Sequence, residues 1–178
     1  NCTKLETVEG LSDSIKSIGR NAFCNCQSLK EINIPKSLES ISDECFLYCT
    51  SLKEVKIPNS VKKIGTYAFT DCISLKSVDI PSASVIHLKA FMGCHRLETI
   101  NIGSVAEIRK SAFSGCSNLK EVKFPKTLKK IDDYAFSQCE SLKEITIPDS
   151  VSIIGRGAFE ECSSLNSINL PSNVNVGD

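Results

Sequence analysis

Eight cysteines, Cys2, Cys26, Cys49, Cys72, Cys94, Cys116, Cys139 and Cys162, follow one another at intervals of 24, 23, 23, 22, 22, 23 and 23 residues. Each opens the same run of residue types. From Cys49 it reads Cys49-Thr-Ser-Leu52-Lys-Glu-Val55-Lys-Ile57-Pro58-Asn-Ser60-Val61-Lys-Lys-Ile64-Gly65-Thr-Tyr-Ala68-Phe69, and Cys116 to Phe136 and Cys139 to Phe159 repeat it. A unit this short cannot bury its own apolar face. A fixed period of this length therefore predicts a solenoid, in which every coil is covered by its neighbours. Residues 1–178 are expected to form a single such solenoid, with seven full repeats and part of an eighth starting at the eight cysteines.

Within a unit, Leu52-x-x-Val55-x-Ile57 ends in period-2 alternation of β-branched residues, which predicts a strand with one face inward. Pro58 ends it by removing a donor. The same frame recurs as Leu29-x-x-Ile32-x-Ile34-Pro35, Leu119-x-x-Val122-x-Phe124-Pro125 and Leu142-x-x-Ile145-x-Ile147-Pro148. One short parallel strand per repeat follows, and the seven intervals should span about 34 Å at the usual strand spacing. After the turn at Asn59-Ser60 the chain returns through Val61-x-x-Ile64-Gly65, where glycine is expected to supply a positive φ. Ala68-Phe69 then reads as a short helical or 3₁₀ turn on the other face, with Phe69 and Phe136 buried.

The pattern Cys-x-Ser-Leu-x-x-Ile-x-Ile-Pro-x-Ser-Val-x-x-Ile-Gly-x-x-Ala-Phe resembles the BspA-like (Treponema pallidum-type) leucine-rich repeats, with Ser37, Ser60, Thr127 and Ser150 where the common type carries Asn or Cys. The resemblance implies a leucine-rich-repeat solenoid. It also implies a cell-surface or secreted protein of a mucosal bacterium or protist parasite that binds host matrix or other cells, with no catalytic residues to carry over. Targeting segments are not expected within this excerpt.

Composition narrows the partners. Lys+Arg and Asp+Glu both number 21, so the formal net charge is zero. That removes the bulk attraction on which nucleic-acid binding depends, and no apolar run is long enough to enter a membrane. The chain carries His87 and His95 as its two histidines and lacks nucleophile-elbow, zinc-protease and phosphate-loop motifs, so no enzymatic activity, cofactor or metal is expected. The eight periodic cysteines are expected to form a buried ladder of free thiols meeting backbone carbonyls. Stacked parallel Cβ vectors suit disulfides poorly. Cys24 and Cys45 lie off that ladder.

Two neighbouring units depart from the pattern. Ser82 to Phe91 lacks the glycine and is one residue short, and the next unit replaces its proline with Gly103. A local notch carrying His87, Met92, His95 and Arg96 and simple loop variation both fit these deletions, with the second favoured. Outward strand positions form columns: Thr7, Glu31, Glu54, Ser77, Thr99, Glu121, Glu144, Ser167, and Glu9, Asn33, Lys56, Asp79, Asn101, Lys123, Thr146, Asn169. The candidate ligand-binding residues are Glu54, Lys56, Asp79, Asn101, Glu121 and Lys123, facing an extracellular protein. A structural spacer is one alternative. The other is a polyanion or glycan binder using Lys16, Lys62, Lys63, Arg109, Lys110, Lys129 and Lys130 on the returning arc.

Overall fold

A computed structural model describes residues 1–177. Among them fourteen strands alternate along the chain: β1 (Glu31–Asn33), β2 (Ser40–Ile41), β3 (Glu54–Lys56), β4 (Lys63–Ile64), β5 (Ser77–Ile80), β6 (Val85–Ile86) and β7 (Thr99–Ile102). The series continues with β8 (Glu107–Ile108), β9 (Glu121–Lys123), β10 (Lys130–Ile131), β11 (Glu144–Thr146), β12 (Ile153–Ile154), β13 (Ser167–Asn169) and β14 (Asn175–Val176). Odd-numbered strands stack as a parallel front sheet, β1-β3-β5-β7-β9, with β11-β13 continuing as a separate pair. Even-numbered strands form a second parallel sheet of seven. The expected strand per repeat is present; the returning strand was not expected, although Val61-x-x-Ile64 carries β-branched residues at its ends.

The first coil has no strand, so Thr7 and Glu9, placed at the head of the outward columns, lie in an irregular segment. The front ladder breaks between β9 and β11. That break falls at the coil where Phe124 takes the station of Ile57 and lies edge-on to Phe136, with ring centroids 5.6 Å apart.

No helix forms on the third side of the coil. Tyr67 and Asp71, two residues before and two after Phe69, both have φ of 55°, and Tyr134 and Gln138 flank Phe136 at 55° and 59°. A left-handed residue cannot continue a right-handed helix, and for a non-glycine it is strained. The compensation is a third ladder between coils: Tyr67, Phe69 and Asp71 donate their N–H groups to the carbonyls of Leu88, Ala90 and Met92 at 2.9, 2.7 and 2.8 Å. The expected helical turn is thus a chain of tight turns held edgewise by the next coil.

Gly65 does not have a positive φ, contrary to expectation. Its role is close approach. A Cβ there would lie 2.6 Å from Asp43 Oδ1 and 2.7 Å from the Asp43 backbone nitrogen. Gly103 is held the same way, since a Cβ would meet the Pro81 carbonyl oxygen at 2.5 Å. The two short coils therefore close up tightly. Their strands keep register, with Val78 beside Ile100 and Ile86 beside Ile108, so the lost residues are taken from the turns and not from the sheets.

The core is a stack of identical stations. Phe46, Phe69, Phe91, Phe113 and Phe136 are fully buried, and successive rings from Phe23 to Phe159 lie face to face with centroids 5.0–5.7 Å apart. Beside them run the thiols. Cys72 Sγ donates to the Phe46 carbonyl at 3.2 Å, and the Cys49 N–H reaches the same oxygen at 3.1 Å, using both of its lone pairs. Cys49, Cys94, Cys116, Cys139 and Cys162 repeat this bond to the phenylalanine of the preceding coil. The buried ladder has seven members rather than eight, because Cys2 in the irregular first coil is exposed. Cys45 is also buried although it lies off the ladder, taking the station of Ala68.

Candidate functional site

The front sheet is where period-2 geometry exposes the most sequence-variable positions. In β1, β3 and β9 the central residue is buried and both flanking side chains face solvent. Backbone pairing aligns Glu54, Ser77, Thr99 and Glu121 in one column and Lys56, Asp79, Asn101 and Lys123 in the next. Asn101 therefore keeps its place despite the shortened coils. The six candidate residues lie on the four consecutive strands β3, β5, β7 and β9, a patch about 14 Å deep at the usual strand spacing.

The pairing within this patch is unequal. Asn101 Nδ2 donates to Asp79 Oδ1 at 2.9 Å, and Lys123 Nζ lies 3.1 Å from Glu121 on its own strand. Lys120 reaches Glu98 at 2.7 Å, and that contact, first by its hydrogen bond and then by its charge, holds the Glu98 carboxyl below the usual carboxylate range. Glu54 and Lys56 make no side-chain ion pair with each other or with a neighbour among the described residues. Two shallow depressions flank the centre of the patch. One, of about 350 Å³, is lined by Glu54, Lys56, Ser77 and Asp79; the other, of about 300 Å³, by Thr99, Asn101, Glu121 and Lys123. The structure thus brings all six candidate residues to these depressions and adds Ser77 and Thr99. In sequence those two read as ordinary members of their column, and only their place between the two Glu-Val-Lys strands distinguishes them.

The other chemically versatile side chains are dispersed. His87 is half-buried at the station of Gly65, and its ring pKa is lowered by desolvation and then by the nearby Lys63 charge. His95 Nδ1 sits 2.9 Å from the Gly115 carbonyl, and Arg96 is exposed. Among the described residues no three His, Cys, Asp or Glu side chains are placed to hold a metal ion, and no helix is long and apolar enough to cross a membrane. On the returning arc several cations are already paired: Arg109 with Glu107 at 2.6 Å, Lys110 with Asp133 at 4.0 Å and Lys130 with Asp132 at 3.5 Å.

A family model for the BspA type leucine rich repeat region matches this chain in six copies, over residues 1–95 and 84–177. The chain belongs to that family. Among solved structures, a leucine-rich repeat protein from Bacteroides ovatus is 30% identical with a TM-score of 0.74, covering 99% of this chain and 52% of its own. One from Eubacterium ventriosum is 27% identical with a TM-score of 0.81, over 94% of this chain and 46% of its own. The T. pallidum leucine rich repeat protein is 29% identical with a TM-score of 0.62, over 79% of this chain and 75% of its own. This BspA-type chain spans about half the length of the first two. No match was found among curated proteins.

Proposed function

We propose that this BspA-type repeat segment is a recognition module at a cell surface or in a secreted protein, engaging a protein of a host or neighbouring cell through its front sheet. The observation that carries this reading is the break in the repeat pattern of that sheet. Two identical Glu-Val-Lys strands, β3 and β9, bracket Ser77, Asp79, Thr99 and Asn101, so one local patch differs from the coils on either side. A uniform stripe of charge serves solubility, whereas a single asymmetric patch with depressions gives a partner something to register on. The patch has no aromatic anchor, so each contact is weak and attachment gains from many repeats or many copies.

The test is a double charge reversal, Lys56→Glu with Lys123→Glu, compared with Lys62→Glu plus Lys129→Glu on the arc, using circular dichroism and melting to verify an unchanged fold. Attachment to cells or immobilised matrix protein is expected to fall more for the sheet variant. Loss in the arc variant alone would transfer the activity to the arc. Equal attachment by all three proteins, or none by the starting protein, would leave a spacer as the better description.

A further inference from the structure

A third depression, on the edge where the front strands turn into the returning ones, gathers Lys16, Lys36 and Lys62 around Glu39 and Ser60. The backbone sets this arrangement. Glu39 N–H donates to the Lys16 carbonyl at 3.4 Å and Lys62 N–H to the Glu39 carbonyl at 2.9 Å, so these three stand one above another on successive coils. Lys36 follows Pro35 at the neighbouring turn, where the sequence alone reads it as a turn residue.

Three observations bear on what this depression can hold. First, its cations are free, as are those of other lysines such as Lys53, Lys56, Lys63 and Lys129 among the described residues. Arg20, Lys30, Arg109, Lys110, Lys120, Lys123 and Lys130 each have a carboxylate within 4.0 Å. Lys16 and Lys36 make no ion pair among the described residues, and Lys62 Nζ reaches only the Asn59 carbonyl, at 3.0 Å. Second, Glu39 stands between Lys16 and Lys62 without pairing to either, so the site alternates positive, negative, positive along the solenoid axis. Third, Ser60 breaks a rule its siblings keep. Ser37, Thr127 and Ser150 donate their hydroxyls to the preceding coil, at the carbonyls of Ile15, Val105 and Leu128. Ser60 Oγ is covered and has no partner. Buried hydroxyls ordinarily find one.

We propose that this groove binds a sulfated saccharide chain laid along the solenoid axis, with sulfate groups at Lys16, Lys36 and Lys62 and sugar hydroxyls against Ser40. Lys16 and Lys62 are two coils apart, about 10 Å, which suits charges spaced along a chain better than one small ion. Lysine ammonium groups are point charges that accept a tetrahedral oxyanion in many orientations, without the fork geometry of arginine. Glu39 in the middle repels continuous anionic charge and so favours discrete, spaced groups. No aromatic side chain lines the groove for bases to stack on, which disfavours a single-stranded nucleic acid.

The experiment is an amide chemical-shift titration of the intact chain with a heparin-derived hexasaccharide, beside a hyaluronan hexasaccharide that carries carboxylates but no sulfate. The sulfated probe is expected to move amides around residues 16, 36–40 and 60–62, with affinity falling severalfold between about 50 and 150 mM salt. Lys36→Ala and Lys62→Ala should each weaken binding at least threefold, Glu39→Gln should strengthen it, and Lys130→Ala, whose cation is already paired, should leave it unchanged. Reversal of Lys56 and Lys123 should not alter saccharide binding, which separates this test from that of the front sheet. Equal binding of the unsulfated probe, equal loss in Lys130→Ala and Lys62→Ala, or no shifts at the groove would overturn the proposal.

Discussion

Replacing Phe69 with alanine tests the stacking argument most directly. Phe69 is fully buried, and its ring is sandwiched between Phe46 at 5.1 Å and Phe91 at 5.0 Å, with interplanar angles of 12° and 5°. Truncation removes the transfer energy of the ring and leaves a cavity that the third ladder prevents from collapsing. The cost expected for a buried Phe→Ala is about 3–5 kcal/mol. Losing two aromatic neighbours places this case at the upper end, since each stacked pair is worth about 0.5–1.5 kcal/mol beyond its area. Phe159 supplies the internal control. It is half-buried and has one stacked neighbour, Phe136 at 5.7 Å, so Phe159→Ala should cost about half as much or less. Urea denaturation followed by circular dichroism reads both, with each variant's free energy taken from its own midpoint and slope. A hole at the centre of a one-dimensional stack should also weaken communication between coils, so Phe69→Ala is expected to broaden the transition where Phe159→Ala does not. Equal costs for the two substitutions, or a cost below about 1 kcal/mol for Phe69→Ala, would refute the claim that the phenylalanine column holds the coils together.

Alkylation of the folded protein should label Cys2 quickly and half-buried Cys24 more slowly. Cys45 and the ladder thiols from Cys49 to Cys139 should react only after unfolding, without a reductant, because burial keeps them from the reagent and raises the pKa of Cys45 and Cys49 to about 12; mass spectrometry that finds Cys72 labelled as fast as Cys2 would contradict this. Gly155→Ala should destabilise by about 1–3 kcal/mol, since its Cβ would come 2.3 Å from the Asp133 backbone nitrogen, whereas Gly19→Ala, with open space, should change little in the same denaturation assay. His87 has a folded pKa below its unfolded value, so the unfolded chain binds the proton more readily. Its contribution is therefore complete above about pH 6.5 and is lost as pH falls, a dependence that melting curves should show for the starting protein and not for His87→Asn.

Much of this architecture was legible in the residues. The cysteine period, the Leu-x-x-Val-x-Ile frame ended by proline, and the recurrent Ala-Phe together determined the coil, its length and its inward stations, because a solenoid repeats in space whatever repeats in sequence. Phe69, Cys72 and Val55 are buried for that reason, and the outward columns through Glu54 and Lys56 follow from it. Several features were not legible because they depend on the next coil rather than on the residue's own neighbours. Gly65 looks like a turn glycine, yet what it needs is space, and the atom demanding that space is Asp43 on the preceding coil. Tyr67 and Asp71 carry no local signature of a left-handed backbone; they hold it because Leu88 and Met92 offer carbonyls at the right height. Which cations are free was likewise decided between coils, where Asp133 on the next coil takes up Lys110 while Glu39 on the preceding coil leaves Lys62 unengaged. A repeat specifies what every coil shares through short-range pattern, while the exceptions that give one patch its chemistry arise from contacts about 23 residues away in sequence, which only the stacked structure brings together.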